Sequence, residues 1–314
     1  MAGLAAITAD SLVKTYSGRP ALNCVSFQVG EGEVFGFLGP NGSGKTTTIK
    51  ILTTLITPNS GSAEVLGYDI LSQAHEIRRR IGVVQQQESY ELNLSVEKCL
   101  DLYGLMWDVP RSVRREMVEE LLERFGLREV RKVRAGELSV GMRRRLQVAR
   151  EFIHDMELLF LDEPTIGLDP IARRETLNFI KKKAQEGLTI FFTTHILEEA
   201  EYLCNRLAMI NNGRIVVIDT PSNLKRRFGG IRRVEMRVKG VLPADLISRI
   251  ESADSVDVVT LVDQHTMTAV TANPGDVIPH MLRLAERFGI DVVSIYASEP
   301  TLDDVFIELM RGGG

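Results

Sequence analysis

Residues 39–47 read Gly39, Pro40, Asn41, Gly42, Ser43, Gly44, Lys45, Thr46 and Thr47, three glycines in six positions followed by a cation and hydroxyls. This spacing lets consecutive backbone N–H groups turn toward one point. A helix that starts there adds its positive end, so the segment suits the cradling of phosphate oxygens. Lys45 reaches the outer phosphates of a nucleotide, and the Thr46 hydroxyl can ligate Mg²⁺. A second group lies far downstream, where Asp162 and Glu163 follow the apolar run 158–161. Two carboxylates at the end of a buried strand can divide the work. Asp162 holds the cation through water, and Glu163 orients or deprotonates an attacking water. His195 ends a third apolar run, 189–193. A lone histidine is usually structural, but its place at a third strand end makes it a candidate for the γ-phosphate.

These residues need strands to carry them. The runs 34–38, 158–161 and 189–193 are short, apolar and ended by glycine or charge, so they are expected to be buried strands of an α/β sheet. Residues 47–55 are expected to form the helix behind the phosphate loop. Residues 95–106 and 110–125 read as further helices, the second opened by Pro110 and stopped by Gly126. The stretch of about 87–150 is read as a helical subdomain inserted into the sheet. After the turn at 220–222 the pattern changes to strand 231–239, helix 243–251, a hairpin from 255–262 and 266–271, helix 276–288, strand 290–297 and helix 301–310. That order matches a ferredoxin-like β-α-β-β-α-β unit plus one helix, with a small β-barrel as the competing reading. Two domains follow, 1–221 and 222–314.

Composition narrows the function classes. A net charge of −4 and a pI near 5.9 argue against a nucleic-acid partner, which would call for a strongly basic face. Cys24, Cys99 and Cys204 lie far apart without a CxxC pair, so neither a disulfide framework nor a zinc site is expected, and a reducing cytosol fits. No run approaches the roughly 18 to 20 apolar residues that span a bilayer. Membrane work is therefore expected to go through a partner.

Leu138-Ser139-Val140-Gly141-Met142 precedes the helix-like stretch 143–152. Together with the phosphate loop and the Asp162-Glu163 pair, this segment resembles the LSGGQ signature of the ABC transporter superfamily, with Val140 for the first glycine and Met142 for glutamine. The resemblance covers about 7–221 and extends only loosely beyond. It implies a P-loop ABC ATPase domain that takes ATP and Mg²⁺. It also implies that Ser139 and the Gly141 backbone, at a helix N-terminus, hold the γ-phosphate bound by a second copy, so the chain works as a homodimer or pseudo-dimer. Tyr16 corresponds to the aromatic that stacks on adenine, although a lone tyrosine near a strand is more often simply packed. Gln86 corresponds to the glutamine that senses Mg²⁺ and links to the membrane partner, with Gln85 and Gln87 leaving the register open by one. Asp169 matches the loop that crosses the dimer interface, and its plain alternative is an N-cap for the helix begun by Pro170.

Met142-Arg143-Arg144-Arg145 resembles the antibiotic-resistance and lipid-export branch, while the residues alone read as a solvated helix face for at least two of the arginines. The tail Thr301-Leu-Asp-Asp-Val-Phe306, preceded by Glu299-Pro300, is similar to that of drug- and polysaccharide-exporter ATPases. The expected function is the ATP-hydrolysing subunit of such an exporter, held at the cytoplasmic face of the cell membrane by separate permease subunits. A regulatory module that dimerises on ATP with little turnover, and the ATPase subunit of an importer, are the alternatives. The presence of both Glu163 and His195 favours turnover.

Overall fold

The computed structural model describes residues 5–87, 91–227, 232–298 and 301–311. The chain divides into two compact units, Met1–Thr220 and Pro221–Gly314. The first opens with two long strands, β1 (Ala5–Tyr16) and β2 (Arg19–Gly30). Ser17 and Gly18, the two residues between them, both have positive φ, as the tight turn of a twisted hairpin requires. Then come β3 (Val34–Leu38), α1 (Lys45–Leu52), β4 (Ser60–Val65), β5 (Tyr68–Asp69), α2 (Ala74–Arg78) and β6 (Ile81–Val84). Three helices follow, α3 (Val96–Met106), α4 (Arg111–Arg124) and α5 (Val140–Glu151). The chain then resumes alternation with β7 (Leu158–Asp162), α6 (Pro170–Gln185), β8 (Thr189–Thr194), α7 (Leu197–Leu203), β9 (Arg206–Asn211) and β10 (Arg214–Asp219).

Every residue of β3, β7 and β8 is buried, which is why these strands read as unbroken apolar runs. They belong to a sheet of order β10-β9-β3-β8-β7-β6, parallel except for the antiparallel edge strand β10. In this order β8 lies between β3 and β7, so the carboxyl ends of all three are neighbours. A second sheet, of order β2-β1-β4-β5, is antiparallel. The two sheets pack through Phe27 of the second against Phe35, Phe37 and Phe191 of the first, with ring centroids 5.4–5.7 Å apart. Each such ring removes on the order of 150–250 Å² from water, so this cluster is a principal anchor of the unit.

The helical expectations need small corrections with local causes. The helix behind the phosphate loop starts at Lys45 rather than 47 and ends at Leu52 rather than 55, because Thr54 takes a positive φ of 61°. Helix α5 starts at Val140 rather than 143, because the Ser139 hydroxyl accepts from Met142 N at 3.2 Å and caps it. The antiparallel sheet went unread, since the β1–β2 pairing carries four register shifts that break the alternation.

The second unit runs α8 (Pro221–Arg227), β11 (Arg232–Val238), α9 (Ala244–Glu251), β12 (Val258–Leu261), β13 (Thr266–Thr271), α10 (Pro274–Arg287), β14 (Val292–Ser298) and α11 (Leu302–Arg311). Its sheet is antiparallel with order β12-β13-β11-β14, and Val234, Met236, Leu246, Met267 and Met281 form a separate core. This is a β-α-β-β-α-β arrangement with a helix at each end, so the barrel reading does not hold. Ile231, expected to open the first strand, and Glu299-Pro300 lie outside the described residues. Within the tail motif, Thr301 N donates to the Asp304 carboxylate at 2.9 Å and Asp304 N to the Thr301 hydroxyl at 3.3 Å. This reciprocal box starts α11.

Trp107, the chain's one tryptophan, stacks on His154 with centroids 3.9 Å apart and planes within 2°. His154 is buried, and desolvation pushes its pKa down to about 4. Because the folded value lies below the ordinary 6.5, protons favour the unfolded chain, and stability is lost as pH falls from 6.5 toward 4. Trp107 emission should stay constant down to about pH 5 and be quenched near pH 4 as the imidazolium forms, whereas Tm should fall earlier, from about pH 6.5 downward. Quenching centred near the ordinary histidine value would show that the pair is open to solvent.

Candidate functional site

The sheet order brings the phosphate loop, the carboxylate pair and the histidine to one place. Leu38 is paired with Thr194 and Asp162 with Thr193, so the three strand ends are level. The loop after β3 is tight. A Cβ at Gly39 would lie 2.3 Å from Ile210 O, and Gly44 has a φ of 114° with Ala21 O 2.7 Å from where a Cβ would sit. Gly44 caps α1, so the amino end of that helix opens onto the loop. Lys45 is 5% exposed and donates to Gly39 O at 2.8 Å and Pro40 O at 3.2 Å.

Glu163 is the centre of the arrangement. One carboxylate oxygen is 3.2 Å from Lys45 Nζ and the other 3.2 Å from His195 Nδ1, and the side chain is 5% exposed. Its φ of 49° is left-handed, a strained conformation for a residue with a Cβ, costing roughly 1–2 kcal/mol. Hydrogen bonds hold it there, since Glu163 N donates to Thr193 O at 3.1 Å and to Thr193 Oγ1 at 3.2 Å. The same Thr193 hydroxyl donates to Asp162 Oδ1 at 2.6 Å, while Thr46 Oγ1 donates to Asp162 Oδ2 at 2.8 Å. Both carboxylate oxygens of Asp162 are thus fixed.

A cavity of about 320 Å³ opens onto Lys45, Thr46 and Glu163, lined also by Asn41, Gly42, Gly44, Thr47, Tyr16, Ala21 and Gln86, while Asp162, Thr193 and His195 do not line it. Of the three adjacent glutamines it is Gln86 that lines it. Tyr16 is 47% exposed at its rim, with Lys14 Nζ over its ring 5.6 Å from the centroid. A larger cavity of about 590 Å³ lies at the amino ends of β3, β7 and β8, beside Gly32, Glu157 and Thr189, and holds none of the motif residues.

A family model described as ABC transporter matches residues 22–166. The daunorubicin resistance ATP-binding protein DrrA3 of Streptomyces coeruleorubidus is 35% identical over 305 residues, covering 97% of this chain and 95% of that protein. The doxorubicin resistance ATP-binding protein DrrA of Mycobacterium tuberculosis is 36% identical, covering 97% and 93%. The chain belongs to the ABC transporter family. It is an ATP-binding, ATP-hydrolysing subunit. Among solved structures, the dimeric structure of MJ0796, a bacterial ABC transporter cassette, is 25% identical with a TM-score of 0.64, covering 68% of this chain and 98% of that one.

Not every ABC motif residue reaches the cavity. Ser139, Gly141 and Asp169 line no part of it. They form a neighbouring group, in which a Cβ at Gly141 would sit 3.2 Å from Gly167 O and Arg145 pairs with Asp169 at 3.4 Å. Asp169 caps α6, accepting from Ile171 N at 3.0 Å and Ala172 N at 2.9 Å, and these N–H groups hold its carboxyl below the usual range. The solvated arginine face is corrected too. Arg144 is 7% exposed, while Arg143 and Arg145 are half-buried and bonded to Leu138 O and Asp169. Thr193 and Glu199 went unread. Buried Glu199 accepts from Thr165 Oγ1 at 2.6 Å and Thr194 Oγ1 at 2.9 Å, tying the loop after β7 to the end of β8. Thr193 looks in sequence like an ordinary strand threonine and Glu199 like an ordinary acidic residue in the first turn of α7, so no local signal marks either.

Thr193→Val keeps the side-chain shape and removes the hydroxyl that aligns Asp162 and Glu163. A hydrogen bond to a charged group contributes about 1.5–3 kcal/mol, so kcat for ATP should fall about 10- to 100-fold with KM within about twofold. Steady-state ATPase assays decide it, and an unchanged kcat would show that the carboxylates are held without Thr193.

Proposed function

We propose that this chain is the motor of an exporter of drugs, lipids or polysaccharide, converting ATP-driven closure of a cassette dimer into movement of separate membrane permease subunits at the cytoplasmic face of the cell membrane. The observation that carries the reading is the buried Glu163 carboxylate, 3.2 Å from both Lys45 Nζ and His195 Nδ1. A cation for the outer phosphates, a base for water and a ring for the γ-phosphate are what phosphoryl transfer to water requires. In this reading residues 39–47 cradle the phosphates, Tyr16 stacks on adenine, and Lys45 leaves Glu163 for the nucleotide. Ser139 and Gly141 complete the site of the second copy, and Asp169 lies at the boundary between copies.

The donor set fits Mg²⁺. Thr46 Oγ1 and Asp162 Oδ2 lie 2.8 Å apart, both are oxygen ligands, and no group of three or more His, Cys, Asp or Glu among the described residues is arranged to hold a metal ion by itself. Mg²⁺ favours one or two carboxylates and keeps the remaining positions for phosphate oxygens and water. Thr46, Asp162 and Gln86 would hold it, and when bound it neutralises charge developing on the phosphates.

Export is supported by the names of the relatives, drug-resistance ATP-binding proteins matched along nearly their whole length. No described helix is long and apolar enough to cross a membrane, which supports separate permease subunits. A homodimer or pseudo-dimer is supported by the dimeric MJ0796 cassette. Residues 1–221 are assigned to the cassette, with 87–150 as its helical subdomain. Residues 222–314 are assigned to an accessory domain that steadies the dimer or docks the membrane partner.

Two experiments test this reading. Glu163→Gln removes the base and keeps the shape, so Mg-ATP should bind, turn over very slowly and drive the chain to a dimer in size-exclusion runs. Adding Gly141→Asp places a carboxylate where the second copy's γ-phosphate must sit and should return it to monomer, whereas Gly141→Ala, which tests only the contact with Gly167, should not. A Glu163→Gln, Gly141→Asp chain that still dimerises on ATP overturns the composite site. Cutting the chain after Thr220 should leave a folded core with ATP affinity within about twofold of the full chain and altered dimerisation. A folded core that fails to bind ATP would place nucleotide contacts in the second unit.

A further inference from the structure

Arg144 lies in the second turn of α5 with its guanidinium buried. A guanidinium has five N–H donors, and here five acceptors meet them. Nε donates to Pro164 O at 3.0 Å, and one terminal nitrogen donates to Asp162 O at 2.6 Å and Glu163 O at 2.7 Å. The other donates to Gln85 O at 2.6 Å and Gln147 Oε1 at 2.7 Å. Gln147, fully buried one turn further on, donates to Gln85 O at 2.9 Å and Gln87 O at 2.7 Å. One side chain therefore grips three successive carbonyls of the hydrolysis loop and, with Gln147, both carbonyls that flank Gln86.

We infer that Arg144 is a positioning residue that fixes Glu163 and Gln86 of its own chain to the helix whose amino end faces the nucleotide of the other copy. The inference rests on the composite-site reading above. It accounts for the strained Glu163 backbone, whose N–H is held by Thr193 and whose carbonyl is held by Arg144. Neither Arg144 nor Gln147 lines the nucleotide cavity, so the pair acts through the groups it holds. Helix α5 then has two ends of work. Ser139 and Gly141 meet the phosphate bound by the second copy, and one turn later Arg144 sets the carboxylate and glutamine of the chain's own site. A shift of α5 when the second copy's nucleotide closes would pass directly to the chain's own hydrolysis loop.

The link predicts an effect in one site and not the other. Arg144→Lys keeps the charge but gives a flexible point donor that cannot span carbonyls on both loops. Mixed dimers of full chains, made with two affinity tags, separate the sites. In the first, one copy carries Arg144→Lys and the other Glu163→Gln, so the only working site uses the altered copy's own Glu163. In the second, one copy carries both substitutions and the other is unaltered, so the working site merely borrows the altered copy's Ser139 and Gly141.

ATP hydrolysis should fall at least about tenfold in kcat in the first dimer, with KM within about twofold, and stay within about twofold of the single-site rate in the second. Equal losses in both, a larger loss in the second, or no loss in the first overturns the inference. Should Arg144→Lys prevent folding, judged by thermal melts, Gln147→Met tests the same link through the Gln85 and Gln87 carbonyls with the same expected asymmetry. Failure of Glu163→Gln chains to dimerise on Mg-ATP overturns the composite site and the inference with it. Dimerisation with symmetric losses overturns the inference alone.

Discussion

The carboxylate of Glu163 sits between Lys45 and His195, and three segments remote in sequence must converge for it to do so. Convergence comes from strand order. With β8 inserted between β3 and β7, the loop after each strand emerges beside the other two, and the registers Leu38–Thr194 and Asp162–Thr193 keep them level. The apolar interior of β3, β7 and β8 is the anchor for that register, since a one-residue slip would misalign every strand-end group. Burial of the pair raises the electrostatic stakes as well. Lys45 and Glu163, both about 5% exposed, attract each other more strongly than the same charges would at the surface, so a ligand phosphate that draws Lys45 away must offer a comparable countercharge.

What could be read from the sequence was what is local. The phosphate loop, the Asp162-Glu163 pair, the capping of α6 by Asp169 and the stop at Gly126, whose φ is 62°, each depend on neighbouring residues and standard backbone geometry. The grip of Arg144 was not legible, because four of its five acceptors are backbone carbonyls, at 85 and 162–164, and a carbonyl carries no residue signal. Composition even pointed the wrong way there. Three consecutive arginines favour solvent unless five acceptors are waiting inside, and only the packing of α5 against β6 and the loop after β7 supplies them. Thr193 was hidden for a related reason, since a threonine in a buried strand reads as a β-former and its hydroxyl's task is set by what the adjacent strand ends in.

The second unit shows the same division. Its alternation of strands and helices was readable because α9, α10 and its sheet each present one apolar face to a single core, centred on Val234, Met236 and Met267. Its boundaries shifted by up to three residues, and proline sets two of them. Pro243 caps α9, and Pro274 opens α10 two residues before the expected start. The tail motif Thr301-Leu-Asp-Asp304 has a local explanation in full, a reciprocal cap that starts α11, and Asp304 also pairs with Arg233 of β11 at 3.3 Å. Its resemblance to other tails therefore reflects at least a folding requirement.

The departures at Val140 and Met142 follow from where those positions point. Val140 is 58% exposed, so a larger side chain meets solvent rather than the chain's own interior, although its Cγ1 leaves only 3.0 Å for any Cβ at Gly167. Gly167 has a φ of 78° and must stay glycine for that reason too. At Met142 the backbone N–H closes the Ser139 cap, and the side chain is free to differ without loss of that bond. Gly141 has less freedom, since a Cβ there would sit 3.2 Å from Gly167 O, a tight approach that a shift of a few tenths of an ångström relieves. The glycine retained in the signature thus lies at the close approach of α5 to the turn before α6 and next to the phosphate it is proposed to meet. Of the two departures, Val140 lies at that approach of α5 to Gly167, and only Met142 lies outside it.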